Sequence, residues 1–292
     1  MAVDPRPRRR LSEQETRERV LDLAGERLVE HGLSVGLDAV GMERIIADAG
    51  VSRASAYRCW PHREGFLADV LVHAIGRTRL IPEDDDDIDR LLGVLEARRN
   101  ELGTEQGRRD MVVEALRISL DADIRRTLAS PKWRLLLALS VTHRTLPDEG
   151  LRDVVAGSLA ELERAFVQRR ARIYAAMAEL IGYRQCAPWS GDEGFMMLSE
   201  LAGLTMRGVL SRALSDPDWL DRRTGLTLFG TSRPAPWSQP EIAMMTVLLT
   251  HLEPDPAVEW TPQHIAATEE RLAAMAAEIS DAGAAGSPAP SR

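Results

Sequence analysis

Met42-Glu-Arg-Ile-Ile-Ala-Asp-Ala-Gly-Val-Ser-Arg-Ala-Ser-Ala-Tyr-Arg-Cys-Trp60 is the stretch that decides the fold. It falls into three parts. Met42 to Ala49 reads as a short helix with Ile45 and Ile46 inward. Gly50 breaks it, because glycine adopts the left-handed backbone a tight turn needs. Ser52 then caps a second short helix that ends near Trp60, where Pro61 punctuates. Two short helices joined by such a turn form a helix-turn-helix. Ala49 is small where the helices cross, and Val51 plugs the angle between them. The cap at Ser52 leaves backbone amides pointing outward, where a phosphate is favoured. Arg53, Ala54 and Ser55 occupy the first turn, the part of a recognition helix that reaches base edges.

Outward from this centre the chain reads as helix almost throughout. From Glu15 to His31 the apolar positions Val20, Leu23, Ala24 and Leu28 recur at helical spacing, and Gly32 supplies a stop. A longer helix from His62 to Leu80 carries Phe66, Leu67, Val70, Leu71 and Ile75 on one stripe. The acidic run Glu83 to Asp87 marks a boundary, beyond which helices are expected near 86–101, 105–123, 131–143, 148–183, 191–214, 239–252 and 262–281. Residues 215–238, with Pro217, Pro234 and Pro236, read as a loop. The expected fold is all-α. A basic arm (1–14) leads into a three-helix helix-turn-helix domain, which a fourth helix joins to a larger helical domain. The boundaries are 15–80 and 81–281, and 282–292 is expected to be a disordered tail rich in Gly, Ala, Pro and Ser.

Residues 16–71 resemble the DNA-binding domain of the TetR family of transcriptional regulators. Thr16-Arg17-Glu18-Arg19-Val20-Leu21 resembles the family's opening helix, and Ala49-Gly50-Val51-Ser52 its turn. Tyr57 stands at its phosphate-binding tyrosine, Trp60 at its usual phenylalanine. Arg63-Glu64-Gly65-Phe66-Leu67 follows the start of its fourth helix, with arginine for lysine. The match covers about a fifth of the chain, and it departs from the pattern in places. Val40 and Gly41 replace two threonines, so Gly41 is left as a cap without a hydroxyl, and Cys59 stands where a polar residue often contacts DNA.

The resemblance implies that Arg53, Ala54 and Ser55 read bases. Ser52, Tyr57, Arg58 and Arg63 would hold phosphates, with Arg17 a weaker candidate. It further implies a homodimer on an inverted-repeat operator of double-stranded DNA, a repressor released by a small-molecule effector, and no cofactor. Trp60 is assigned to the core. Pocket candidates are bulky groups of the second domain: Trp133, His143, Phe166, Arg170, Tyr174, Trp189, Met197 and Trp237. For the dimer bundle the faces of 191–214 and 239–252 are expected, among them Phe195, Leu198, Leu201, Ala202, Thr205, Val209, Met244, Val247 and Leu248.

Composition agrees with this and limits the rivals. The first 80 residues carry 13 Arg against 12 acidic groups, whereas the other 212 hold 24 basic and 33 acidic groups. Such asymmetry fits one segment meeting a polyanion. Arg6 to Arg10 could form a minor-groove arm or a tail without contacts. No apolar run approaches the roughly 20 residues of a membrane span, and no secretory signal fits, so a soluble cytoplasmic protein is expected. Two cysteines exclude a disulfide framework, and the six histidines include no pair at metal-binding helical spacing, so no metal site is expected. Gly32-Leu-Ser34-Val-Gly36 matches the nucleophile elbow of hydrolases, with His31 beside it, but that elbow needs a strand before its serine. The alternatives are therefore a helical protein-interaction module that no longer reads DNA and, last, a hydrolase using Ser34.

Overall fold

A computed structural model describes residues 11–39, 41–80, 85–189 and 191–286. The elements, in chain order, are α1 (Glu13–Ala39), α2 (Met42–Asp48), α3 (Arg53–Cys59), α4 (Arg63–Gly76), α5 (Asp85–Arg98), α6 (Glu105–Ala129), α7 (Pro131–Thr142) and α8 (Glu149–Leu180). They continue with β1 (Tyr183–Gln185), α9 (Asp192–Ser215), β2 (Arg223–Leu226), β3 (Ala235–Ser238), α10 (Gln239–His251), β4 (Leu252–Pro254) and α11 (Pro262–Gly286). The fold is helical, with two small antiparallel ribbons, β1 with β4 and β2 with β3.

The chain forms two compact units. The first holds the N-terminal helices to Arg79 together with Ser130–Glu163. That unit is larger than the 15–80 segment expected from sequence. Leu135 and Leu139 of α7, and Leu151 and Val155 of α8, join the core built by Val20, Ala24 and Leu28 of α1 with Phe66 and Leu71 of α4. These side chains bury apolar surface at about 25 cal/mol per Å², and the three α1 positions need a cover that the short α2 and α3 cannot supply alone.

α1 begins earlier than expected. Ser12 and Glu15 form reciprocal bonds: the Glu15 amide donates to Ser12 Oγ at 3.1 Å, and the Ser12 amide to Glu15 Oε2 at 2.7 Å. The segment read as a link after His31 is also helical, beyond a break at Gly32 with φ +74°. Ser34 therefore follows a helix and sits within one, so the strand-turn-helix of a nucleophile elbow is not formed there. Val40 and the Arg6–Arg10 arm lie outside the described residues.

The second unit comprises Leu80–Ala129 and the chain from Arg164 onward. Here α6, α9 and α10 pack on one another, and α5 packs on α6 and α11. Residues 215–238 correct the loop expectation, since a 3-10 turn over Pro217–Asp221 leads into the β2–β3 hairpin. β2 is exposed along its whole length, so it shows no apolar alternation, and Pro236 is tolerated because a two-stranded ribbon leaves outward positions without a required N–H. β1 and β4 escaped the sequence reading because each has only three residues; the long helix stops at Leu180, and Gly182 turns with φ +66°. α11 runs to Gly286, past the expected tail boundary at 282, as its alanines favour helix.

Candidate nucleic-acid interface

The turn between α2 and α3 is built as its residues require. The Val51 amide donates to Ile46 O at 3.3 Å and the Gly50 amide to Ala47 O at 3.1 Å, with Gly50 at φ +65°. That pair of bonds is a Schellman ending, and Val51 joins the core to which Ile46 belongs. Gly41 caps α2 with extended backbone and no side-chain bond. Ile45, Ile46, Ala49, Ala56 and Trp60 are buried and hold the two helices at a fixed crossing.

What this fixed pair presents outward is one face of α3. Arg53, Ala54, Tyr57 and Arg58 are exposed, Tyr57 at 42%. Ser52 accepts the Ser55 amide at 3.1 Å and donates its own proton to Ser55 Oγ at 2.8 Å. Arg58 Nη2 reaches the same Ser55 oxygen at 3.4 Å. Arg63 opens α4 and is exposed. The structure thus brings Ser52, Arg53, Ala54, Ser55, Tyr57 and Arg58 together on α3 and its cap, with Arg63 at the start of the next helix.

Arg17 comes from α1 and meets the C-terminal end of α3. Its guanidinium pairs with Asp69 and lies 5.5 Å from the centre of the Trp60 ring. Trp60, 2% exposed, meets Phe66 edge-on at 5.4 Å, as its core assignment requires. Cys59 is half-buried, and desolvation raises its thiol pKa, so the thiolate needed for oxidation is disfavoured.

Glu43 is the member of this surface that sequence reasoning missed. Its Oε1 accepts the Tyr57 hydroxyl at 2.6 Å, and its Oε2 faces Arg53 Nε at 3.0 Å. The hydrogen bond to this carboxylate, and then its charge, raise the Tyr57 pKa. Nothing in helical periodicity pairs residues 14 positions apart across a turn; only the crossing geometry does.

No protein-family model matches the chain, and no curated protein does. Several solved structures match it, two of which are these. One is the "SmeT-Triclosan complex", with 18% identity, a TM-score of 0.43, and coverage of 85% of this chain and 99% of the other. Another is NalD, described as the secondary repressor of the MexAB-OprM multidrug efflux pump in Pseudomonas aeruginosa, with 15% identity, a TM-score of 0.41, and coverage of 82% and 97%. The functional reading rests on the chain's own residues.

The expected pocket residues are divided between the two units. Trp133 and His143 belong to the first unit, where Trp133 Nε1 donates to Arg79 O at 3.0 Å and His143 Nδ1 lies 3.1 Å from Leu139 O. In the second unit Phe166 and Trp237 are core, and Trp237 Nε1 donates to Leu226 O at 3.1 Å. Arg170 bonds Ser199 of α9, the Trp189 ring lies tilted beside His251 at 5.3 Å, and Met197 is exposed on α9. Tyr174 has its phenol pushed up to about 12 by desolvation. Two clefts of about 1120 and 590 Å³ open instead around the β1–β4 ribbon, and neither is lined by any of those eight. Arg108, Arg109, Tyr183 and Trp260 line the larger; Gln185 and Phe195 line the smaller. Among the described residues no group of three His, Cys, Asp or Glu is placed to hold a metal, and no helix is long and apolar enough to cross a membrane.

The α9 and α10 side chains expected in a dimer bundle divide between the interior of the unit and its surface. Leu198, Ala202, Val209, Met244 and Leu248 are buried within the unit, because α9 and α10 pack on each other and on α6. The outer stripe of α9 runs instead through Met197, Leu201, Leu204 and Gly208, with Leu204 58% exposed.

Proposed function

We propose that the chain is a TetR-like transcriptional regulator that binds an inverted-repeat operator as a homodimer and is released by a small-molecule effector. The observation that carries this is α3. A capped, rigidly seated helix exposes Arg53, Ala54, Tyr57 and Arg58 on one face, with Arg63 beside it at the head of α4. Arginine can fork onto guanine in the major groove, while tyrosine and the remaining arginines suit phosphates. We assign DNA reading to the first unit and effector binding and dimerisation to the second. The clefts beside Tyr183 offer room for an effector, and the apolar stripe of α9 suits a helix pair at a two-fold axis. An effector favouring the DNA-incompetent form would weaken DNA binding, and DNA would weaken effector binding by the same factor. No enzymatic step and no cofactor is part of this reading, and such a regulator works in the cytoplasm beside its DNA.

The test is fluorescence anisotropy of the purified protein with DNA from its own upstream region and with a scrambled duplex, at two salt concentrations. Sequence-selective binding that weakens steeply with salt and is lost in Arg53→Ala supports the reading. Binding to a protein partner that persists at high salt, with no DNA selectivity from a randomised pool, would favour an interaction module instead.

A further inference from the structure

The face that is to meet DNA carries its own anion. Glu43 stands in the first turn of α2 and engages Tyr57 and Arg53, one helical turn apart on α3, with its two oxygens at 2.6 and 3.0 Å. Tyr57 is the donor a backbone phosphate would use and Arg53 the one for a base edge: the Tyr57 hydroxyl has one proton to give, and it bonds Glu43. The contact does not hold the helices together, since the buried residues Ile45, Ile46, Ala56 and Trp60 do that. All three partners are solvent-exposed, with 78% of the Arg53 side chain open, so exchange of the carboxylate for another anion requires no unpacking.

We propose that Glu43 is an internal anion that restrains Arg53 and Tyr57 in the free protein and sets the strength of DNA binding. This rests on the DNA-binding reading above. Any DNA must displace Glu43 from both donors and then tolerate its negative charge beside the phosphates. That cost is the same for every sequence, so a duplex that returns only phosphate contacts is held weakly, whereas the right operator makes up the loss with base contacts from the freed Arg53 fork. Glu43 thus sets the strength of DNA binding, acting through its neighbours.

Glu43→Gln and Glu43→Ala are compared with the wild-type chain on operator and scrambled duplexes across a salt series, with thermal unfolding as a folding control. Exposed pairs of this kind are worth up to about 1 kcal/mol each, so operator and scrambled DNA should both bind about five- to tenfold more tightly. The ratio of the two affinities stays as it was, and the log–log salt slope steepens by about 0.9. Folded variants that bind both DNAs unchanged or more weakly, while Arg53→Ala still abolishes operator binding, would overturn this role of Glu43 and leave DNA reading intact. If neither the wild type nor the Glu43 variants select any sequence from a randomised pool, both ideas fail together.

Discussion

Trp60 Nε1 donates to Asp69 Oδ2 at 2.6 Å, and Arg17 pairs with the same oxygen. A single carboxylate on α4 thus satisfies the buried indole that closes the helix-turn-helix core and anchors an arginine from α1. Asp69→Ala would leave the indole N–H without its acceptor and free Arg17. An unsatisfied buried donor costs about 1–3 kcal/mol, so urea unfolding of the variant should show a loss of that size. Trp60→Phe within the Asp69→Ala background should recover part of it, since the orphaned donor is removed.

A second carboxylate plays the same part in the other unit with less solvent. The Glu241 side chain is wholly buried, caps α10 together with Ser238, and accepts from Arg223 at 2.7 Å and Arg117 at 3.5 Å. Its removal strips the α10 cap and a charged hydrogen-bond partner, worth about 1.5–3 kcal/mol, while Arg223 keeps Asp121 and Arg117 keeps Glu114. Glu241→Ala should therefore destabilise the protein far more than Asp221→Ala, whose carboxylate is open to water. Calorimetry of the two variants decides this.

Asp22 gives a pH dependence. Burial alone would raise its pKa, but bonds from Arg77 and from His73 at 2.8 Å outweigh that and hold it below the ordinary carboxylate range. A depressed folded value means the stabilisation is present above the unfolded pKa of about 3.9 and is lost as pH falls through the folded one. Thermal midpoints of wild type and Asp22→Asn should therefore differ at neutral pH and converge in acid below about pH 4. A difference that persists unchanged at pH 2 would sink the assignment.

Tyr57 behaves oppositely, its phenol being raised by Glu43. Its ionisation should begin above the ordinary tyrosine value of about 10 and move down toward it in Glu43→Gln. With three tyrosines in the chain, absorbance titration of wild type against Tyr57→Phe isolates the signal without any DNA present.

The sequence was legible where one helix face repeats. Val20, Ala24 and Leu28, or Phe66, Val70 and Leu71, announce their own burial by spacing, and Gly50 announces its turn. Relationships that depend on distant pieces meeting were not legible. α7 and the start of α8 complete the first core from beyond residue 130, the β1–β4 ribbon pairs Tyr183 with Pro254, and Glu43 finds Tyr57 across a turn. The bulky residues expected in a pocket do not line either cleft, for a related reason. Size predicts burial, as Phe166 and Trp237 show, but the clefts form beside strands too short to leave a pattern.

The α9 surface tests the oligomer. Met197, Leu201, Leu204 and Gly208 follow one another at helical spacing on the side turned away from α10, and Gly208 lacks a side chain that would hold a second helix off. In the proposed homodimer a charge placed there would be buried without a partner in a symmetric helix pair, twice per dimer. Leu204→Glu should therefore convert a dimer to monomer in light scattering while leaving the far-ultraviolet circular dichroism unchanged. Val141→Glu, at a still more exposed apolar position of α7, serves as the control and should leave the mass as it was. Because two recognition helices are needed to span an inverted repeat, the monomeric variant should also lose operator affinity while retaining the half-site contacts of Arg53. A Leu204→Glu chain that stays dimeric would move the interface elsewhere on the second unit.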